Sequence, residues 1–210
     1  KTSILKEEYS YTYDNNGNQL TEVVNNEVKV TNTYNSKNEL IKTVSDKEVN
    51  YTYNPEGKRI EKQDNEKIIK YVYEGLDIIL ELDRDNNVIA NNVYGLSLIS
   101  RNRDRKGYYL YNGHGDTVTI IDSEQNEIKS YAYDEWGSII EESGEYDNPY
   151  RYAGYYYDEE TGNYYLLSRY YNPVIARFIV EDTYRGEVDD PLSLNRYVYV
   201  VNNPLIYIDT

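Results

Sequence analysis

The stretch YTYDNNGNQL, residues 11–20, is a strand pattern that runs into a turn, and it decides the fold because the chain repeats it. Its tyrosines alternate with other residues, which predicts a half-buried β-strand whose side chains point alternately to two faces. The Asp, Asn and Gly that follow supply the positive φ angles of tight turns. Residues 51–60, YTYNPEGKRI, have the same arrangement. Both stretches therefore predict a strand that enters a β-hairpin.

This hairpin pattern recurs along the chain at intervals of about twenty residues. Its second tyrosine falls at Tyr13, Tyr34, Tyr53, Tyr73, Tyr94, Tyr111, Tyr133 and Tyr152. Further turn signals lie between these positions, so that a turn is expected about every ten residues. Each repeat is then two short strands and two turns. We expect an all-β fold, a continuous antiparallel sheet of about twenty short strands with little helix.

The best helical candidate is the stretch PLSLNRYVYV, residues 191–200, with Asp190 as its cap. Its β-branched and aromatic residues disfavour a helix even there. Long helices are therefore not expected.

Composition excludes several classes of function. The chain has 210 residues, 37 of them acidic and 22 basic, and its net charge of −15 disfavours nucleic acid and anionic membranes as partners. No stretch is apolar for long enough to form a membrane-spanning helix. The absence of cysteine excludes disulfides and thiolate metal sites. The absence of methionine leads us to expect a piece of a longer protein.

Tyrosine dominates the aromatic residues, with 28 Tyr against one Phe and one Trp. The repeated Y-x-Y-D-x-x-G phrase resembles the YD repeat of the Rhs family. The run YRYAGYYYDEETGNYYLLSRYYNPVIARFIVED, residues 150–182, and the run LNRYVYVVNNPLIYID, residues 194–209, closely resemble the Rhs repeat-associated core. The resemblance divides the chain into a YD-repeat sheet over residues 1–149 and a core domain over residues 150–210.

The resemblance implies a β-ribbon that spirals into a hollow shell around a C-terminal toxin or effector segment, with the core closing one end. A repeated hairpin suits such a wall, because each unit buries its face against its neighbours. The partners expected are the effector segment of the same polypeptide and the rest of the shell. An unpaired edge near residues 1–10 also predicts self-association. The resemblance also implies a bacterial protein that is secreted or lies on the cell surface.

The resemblance further places a catalytic group at Arg169, Asp182 and Asp209, which in active relatives performs one self-cleavage after the second aspartate motif. Two close carboxylates can share a proton, so that one activates water while the other protonates the amide. Thr183 and Thr210 stand where the family has proline after each aspartate. An inactive core, in which both aspartates only cap turns, is an open alternative.

Other polar motifs are expected to be structural. DNNGN at 14–18 and DRDNN at 83–87 lack the Gly and Glu of a calcium loop, and His114 has no second His or Cys with which to bind zinc. In DEETGN, Asp158 and Thr161 are expected to bond the backbone of a hairpin turn. No metal or cofactor is predicted.

A second class of function is a carbohydrate-binding or adhesion module, in which exposed tyrosines would stack on sugar rings. Aromatic repeats of that kind rely on tryptophan, and this chain has only Trp136.

Overall fold

The computed structural model describes residues 8–182, 184, 186, 187, 189 and 191–209. Fourteen of the strands form one antiparallel sheet in which each strand pairs with the next along the chain. These strands are β1 (Tyr9–Tyr13), β2 (Gln19–Val24), β3 (Glu27–Tyr34), β4 (Leu40–Val44), β5 (Glu48–Tyr53), β6 (Arg59–Gln63), β7 (Ile68–Glu74), β8 (Asp77–Leu82), β9 (Val88–Tyr94), β10 (Leu98–Arg103), β11 (Arg105–Tyr111), β12 (Thr117–Ile121), β13 (Glu127–Tyr133) and β14 (Ile139–Ser143).

A second antiparallel sheet has four short strands, β15 (Tyr156–Asp158), β16 (Asn163–Leu166), β17 (Arg169–Asn172) and β18 (Arg177–Phe178). Helical structure in the described part is limited to single 3₁₀ turns at Tyr152–Gly154, Pro191–Leu194 and Val200–Asn202. We call residues 150–209 the C-terminal region and the fourteen-stranded sheet the long sheet. The division of the chain at residue 149 stays a prediction, because the two sheets share one core.

The expected all-β meander is confirmed, with eighteen strands among the described residues. The long sheet is open, since β1 and β14 each pair with a single described strand. The doubtful helix over residues 191–200 is reduced to the turn at Pro191–Leu194, and its expected cap, Asp190, lies outside the described residues. None of the helices in the described part is long and apolar enough to cross a membrane.

The repeated tyrosine has a structural role that phenylalanine could not fill. In five of the repeats its hydroxyl donates to the backbone carbonyl of a residue that begins a strand in the preceding repeat. The pairs are Tyr34 to Gln19 at 3.0 Å, Tyr53 to Leu40 at 2.7 Å, Tyr73 to Arg59 at 2.8 Å, Tyr111 to Leu98 at 2.6 Å and Tyr133 to Thr117 at 2.9 Å. A buried carbonyl left unpaired is costly, so each tyrosine ties its repeat to the one before.

The small sheet lies against one face of the long sheet. Both contribute to one buried cluster, in which aliphatic residues such as Leu40, Val49 and Ile120 pack with tyrosines of the C-terminal region such as Tyr156 and Tyr170. Tyrosine hydroxyls also pair directly across the two sheets. The interior is therefore rich in tyrosine, and most of its hydroxyls are paired inside the protein, although that of Tyr51 has no hydrogen-bond partner among the described residues.

Two buried ion pairs lie in this interior, and one of them joins the two sheets. Arg59 and Asp158 are both fully buried and form a salt bridge between the sheets, and Lys62 contacts the same carboxylate at 3.1 Å. The Arg59 guanidinium also lies 4.3–5.8 Å from the centres of five tyrosine rings. Within the long sheet, Arg101 makes two parallel bonds to Glu81 at 2.8 and 2.9 Å.

Asp158 therefore has a different role from the one predicted. The turn that follows it does bond back, because the N–H groups of Thr161 and Gly162 donate to its carbonyl at 3.1 and 2.8 Å. Its carboxylate, however, faces Arg59 and Lys62 instead of the backbone of the turn. Sequence reasoning places the Asp158 side chain in its own turn, because its actual partners are about a hundred residues away in sequence.

Candidate functional site

Arg169 is held at the start of β17 by a tight hairpin. Leu166 pairs with Arg169 across the turn, and Leu167 between them has a positive φ of 56°. The centre of the guanidinium lies 3.7 Å from the centre of the Phe178 ring on β18. This stacking fixes the plane of the guanidinium and leaves its nitrogens free to bind acceptors at the edge.

Asp182 follows β18 and is fixed through its backbone by Arg196. Its N–H donates to the carbonyl of Arg196 at 2.9 Å, and its own carbonyl accepts from Nε of the same arginine at 2.6 Å. Its carboxylate Oδ1 accepts the N–H of Tyr184 at 2.8 Å, and its Oδ2 accepts Nη1 of Arg169. Two donors, the N–H of Tyr184 and the guanidinium of Arg169, thus hold this carboxylate from both of its oxygens.

Asp209 approaches the same arginine from the end of the described chain. Its Oδ2 lies 3.3 Å from Nη2 of Arg169. Its N–H donates to the hydroxyl of Tyr155 at 2.9 Å, and the same hydroxyl donates to its carbonyl at 2.8 Å.

The structure thus brings together the three residues singled out in the sequence. The two carboxylates face neighbouring nitrogens of one guanidinium although 27 positions separate them in sequence. All three side chains are partly exposed, with relative accessibilities of 17% for Arg169, 31% for Asp182 and 35% for Asp209. Water and a peptide segment can therefore reach the group. Thr183 and Thr210, which replace the family's prolines, lie outside the described residues.

Two cavities meet at this group. One, of about 430 Å³, is bordered by Arg169 and Asp209 at one end and by apolar side chains, among them Ile78 and Leu166, elsewhere. The other, of about 220 Å³, is bordered by all three residues of the group. Asp209 therefore borders both cavities, whereas Asp182 borders only the smaller one.

The polar side chains of the remaining motifs bind groups within or near their own turns. Oδ1 of Asp14 accepts the N–H groups of Asn16 and Asn18, which is the pattern of a turn rather than of a calcium loop. His114 pairs through Nδ1 with Asp116 at 2.8 Å, and its Nε2 lies 3.4 Å from the carbonyl oxygen of Tyr207. The described residues contain no cluster of His, Asp or Glu that could hold a metal ion.

Sequence reasoning missed the buried ion pair of Arg59, although a signal for it was present. Six residues after the repeat tyrosine comes an inward-facing position, which is Leu40 in one repeat and Arg59 in another, and both are buried. A charge at such a position requires a buried partner of opposite sign. Sequence reasoning also missed Tyr155, which lies in a run of three tyrosines that nothing in the sequence tells apart.

Comparisons with known proteins agree with this architecture. In the tRNA nuclease WapA of Bacillus subtilis (strain 168), 41% of residues are identical over 212 positions, which cover 95% of this chain and 9% of that protein. The toxin protein Tse5 of Pseudomonas aeruginosa is 29% identical over 106 positions, 48% of this chain and 7% of Tse5. The chain thus spans about a tenth of the length of these curated relatives.

Solved structures share the fold. A structure of the Photorhabdus luminescens Tc holotoxin pore superimposes with a TM-score of 0.73 at 22% identity, over 94% of this chain and 10% of that one. The TcdB2-TccC3 complex gives a TM-score of 0.71 at 20% identity, over 96% and 13%. A family model described as the teneurin YD-shell matches residues 3–205. With that match over nearly its whole length, the chain belongs to the teneurin YD-shell family.

Proposed function

We propose that this chain is the C-terminal part of a bacterial shell protein, secreted or on the cell surface, that encloses and delivers a toxin or effector segment of its own polypeptide. The observation that carries the proposal is the open fourteen-stranded sheet with the small sheet packed on one face. Such a sheet can be extended by further repeats at β1, while the C-terminal region closes the face behind it. The named toxin and nuclease relatives support this function.

The tyrosines favour a shell over the alternative of a carbohydrate-binding or adhesion module. Sugar stacking needs exposed rings, whereas most repeat tyrosines pack in the shared core or against it, with their hydroxyls on backbone carbonyls. Exposed tyrosines in the described part include Tyr9, Tyr13, Tyr184 and Tyr207, and of these four only Tyr13 is a repeat tyrosine. The remaining shell and the effector are the partners we propose, and the open edge at β1 is the place where either more shell or a second copy would pair.

We further propose that the group of Arg169, Asp182 and Asp209 cuts the chain once, shortly after residue 210. Asp182 accepts bonds from Arg169 and from the N–H of Tyr184, which orient its carboxylate, and it serves as the base that takes a proton from water. Asp209 has one longer contact, at 3.3 Å, and is the group that protonates the leaving amide nitrogen.

In this reaction the water oxygen bonds to the scissile carbonyl carbon, the C–N bond breaks, and the products are a new carboxylate and a new amine. Arg169 offsets the charge of both carboxylates and of the developing oxyanion. Because the substrate is tethered to the catalyst, its effective concentration is high and one turnover suffices.

The test uses this chain joined to the residues that follow Thr210 in its natural protein, made by cell-free synthesis and followed on gels over time. We expect the wild type to yield two fragments and both Asp182→Asn and Asp209→Asn to stay whole, because an amide neither takes nor gives the proton. Asp85→Asn, in an exposed turn far from the group in sequence, is the matched control and should cut normally. An uncut wild type, or normal cutting by both site variants, would overturn the assignment.

A further inference from the structure

The hydroxyl of Tyr155 makes a complete set of hydrogen bonds, two of which go to the backbone of one residue. It donates its single proton to the carbonyl of Asp209 at 2.8 Å and accepts the N–H of Asp209 at 2.9 Å. The hydroxyl of Tyr199 lies 3.2 Å away. A hydroxyl has one proton and two lone pairs, so with its proton on the carbonyl, Tyr199 is the donor of the third bond.

The ring that carries this hydroxyl is itself fixed. Tyr155 follows the 3₁₀ turn at Tyr152–Gly154, and its ring centre lies 6.4–6.5 Å from the ring centres of Tyr152, Tyr164 and Tyr199. These three rings are almost completely buried. A side chain held by packing and by a second hydroxyl places its oxygen reproducibly.

Asp209 has few other supports. It lies after the last 3₁₀ turn and outside any described strand. Its carboxylate reaches Nη2 of Arg169 at 3.3 Å, and two residues earlier the carbonyl of Tyr207 lies 3.4 Å from Nε2 of His114. The two hydrogen bonds to Tyr155 are the shortest contacts that the structure gives Asp209. They fix the position of its backbone, from which the carboxylate extends.

The hydroxyl does not transfer protons itself. Burial raises the pKa of Tyr155 to about 12, and the bonds from Tyr199 and Asp209 only partly offset that rise. The group therefore stays protonated at every pH at which a pair of carboxylates works, and it remains a donor to the Asp209 carbonyl.

We propose that Tyr155 is a positioning residue for self-cleavage, which fixes both backbone polar groups of Asp209 and so presents its carboxylate to Arg169 and to the scissile amide. This inference rests on the proposed function of the same site. A misplacement of about 1 Å at a reacting group can cost about a hundredfold in rate.

The test is Tyr155→Phe in the chain joined to its natural continuation, with the first-order rate constant of cutting as the readout. The ring packing is kept while the hydroxyl and its bonds are lost. We expect the rate constant to fall by about 10- to 100-fold. The matched control is Tyr164→Phe, because Tyr164 lies in the same ring cluster but its hydroxyl donates to the carbonyl of Gly137 at 2.8 Å. That variant should cut within about twofold of the wild-type rate.

A double-mutant cycle with Arg169→Ala separates positioning from general stability. If Tyr155 acts by placing Asp209 against Arg169, its removal should slow the Arg169→Ala protein by much less than it slows the wild type. A purely structural role would give equal factors in both backgrounds.

The outcomes distinguish the two claims. If Asp209→Asn blocks cutting while Tyr155→Phe cuts as fast as Tyr164→Phe, or if the cycle is additive, the positioning role is overturned and the proposed function stands. If Asp209→Asn cuts at the wild-type rate, the proposed function itself is overturned.

Discussion

The long sheet and the C-terminal region differ in how their backbones are determined. In the long sheet, residues with positive φ are those that favour turns, such as Asn25, Asn38, Gly57 and Gly137. In the C-terminal region, positive φ angles also fall on apolar residues that disfavour them: Ala153, Leu167, Ala176, Val200 and Val201. A β-branched or bulky residue in this conformation is strained, so the surrounding packing must impose it.

Three of these strained positions lie beside the proposed catalytic group. Leu167 forms the turn before Arg169, and Val200 and Val201 border the cavity that contains all three site residues. Backbone strain tends to concentrate at functional sites. Local turn chemistry therefore determines the long sheet, whereas packing of the C-terminal region against that sheet determines the proposed catalytic group.

The largest effect on stability should come from the ion pair that joins the two regions. Arg59→Ala would leave the buried carboxylate of Asp158 without its main partner, and we expect it to lower the free energy of unfolding by about 3–5 kcal/mol. Lys29→Ala, which breaks an exposed pair with Glu27 in the long sheet, should lower the free energy of unfolding far less. Urea unfolding of both variants measures this difference, and similar losses would show that the pair does not join the regions.

Acid should weaken the same junction. Burial alone would raise the pKa of the Asp158 carboxyl, but Arg59 and Lys62 outweigh burial and lower it. A carboxyl with a lowered pKa in the folded state contributes stability above its unfolded pKa of about 3.9 and loses it as the pH falls through the folded value.

We therefore expect the gap in unfolding free energy between wild type and Asp158→Asn to be largest near neutral pH and to shrink below about pH 4. Urea titrations from pH 7 to pH 2 measure this gap. A gap that stays constant down to pH 2 would show that the charge of Asp158 does not matter.

Two equivalent turn glycines allow a direct comparison. One faces only the long sheet, and the other faces the C-terminal region. Gly57 and Gly137 close the same kind of turn with φ angles of +83° and +89°. Alanine at either position should cost about 1–2 kcal/mol for the left-handed backbone. A Cβ at Gly57 would come no closer than 3.4 Å to Glu39, whereas at Gly137 it would lie 2.6 Å from the ring of Tyr152.

Gly137→Ala should therefore cost a further 1–3 kcal/mol, roughly, from overpacking. Equal melting temperatures for the two variants would argue against close packing between the long sheet and the C-terminal region.

The smallest expected effect concerns the tyrosine ladder, which is the set of hydrogen bonds from repeat tyrosines to backbone carbonyls within the long sheet. Tyr111→Phe removes the bond to the carbonyl of Leu98 and should cost about 1 kcal/mol. Tyr108→Phe, three residues earlier, is the control, because its hydroxyl has no hydrogen bond among the described residues, and it should change stability by less than about 0.5 kcal/mol. Equal effects would show that the ladder contributes nothing beyond ring packing.

The long sheet could be predicted from the sequence because its turns are determined by the residues within them. Alternating tyrosines and Asn–Gly turns determine strand direction without reference to distant residues, and the meander pairs each strand with its neighbour. The pairing of Arg59 with Asp158 could not be read in this way, since it depends on how the small sheet docks.

The site was predicted only through resemblance. Arg169, Asp182 and Asp209 have no common period, and their convergence depends on a hairpin, a stacked ring and an irregular segment. Tyr155 was not singled out, because its role depends on a backbone contact to a residue 54 positions away. Such contacts carry no local sequence signal.

If Arg169, Asp182 and Asp209 form a working catalytic group, self-cleavage creates a new amino terminus. The position of that terminus can be mapped directly. The chain joined to its natural continuation would be synthesised in a cell-free system, and the products would be identified by intact mass and amino-terminal sequencing. We expect one new amino terminus shortly after residue 210 in the wild type and none in Asp209→Asn. An intact wild type, or the same new terminus in Asp209→Asn, would contradict it.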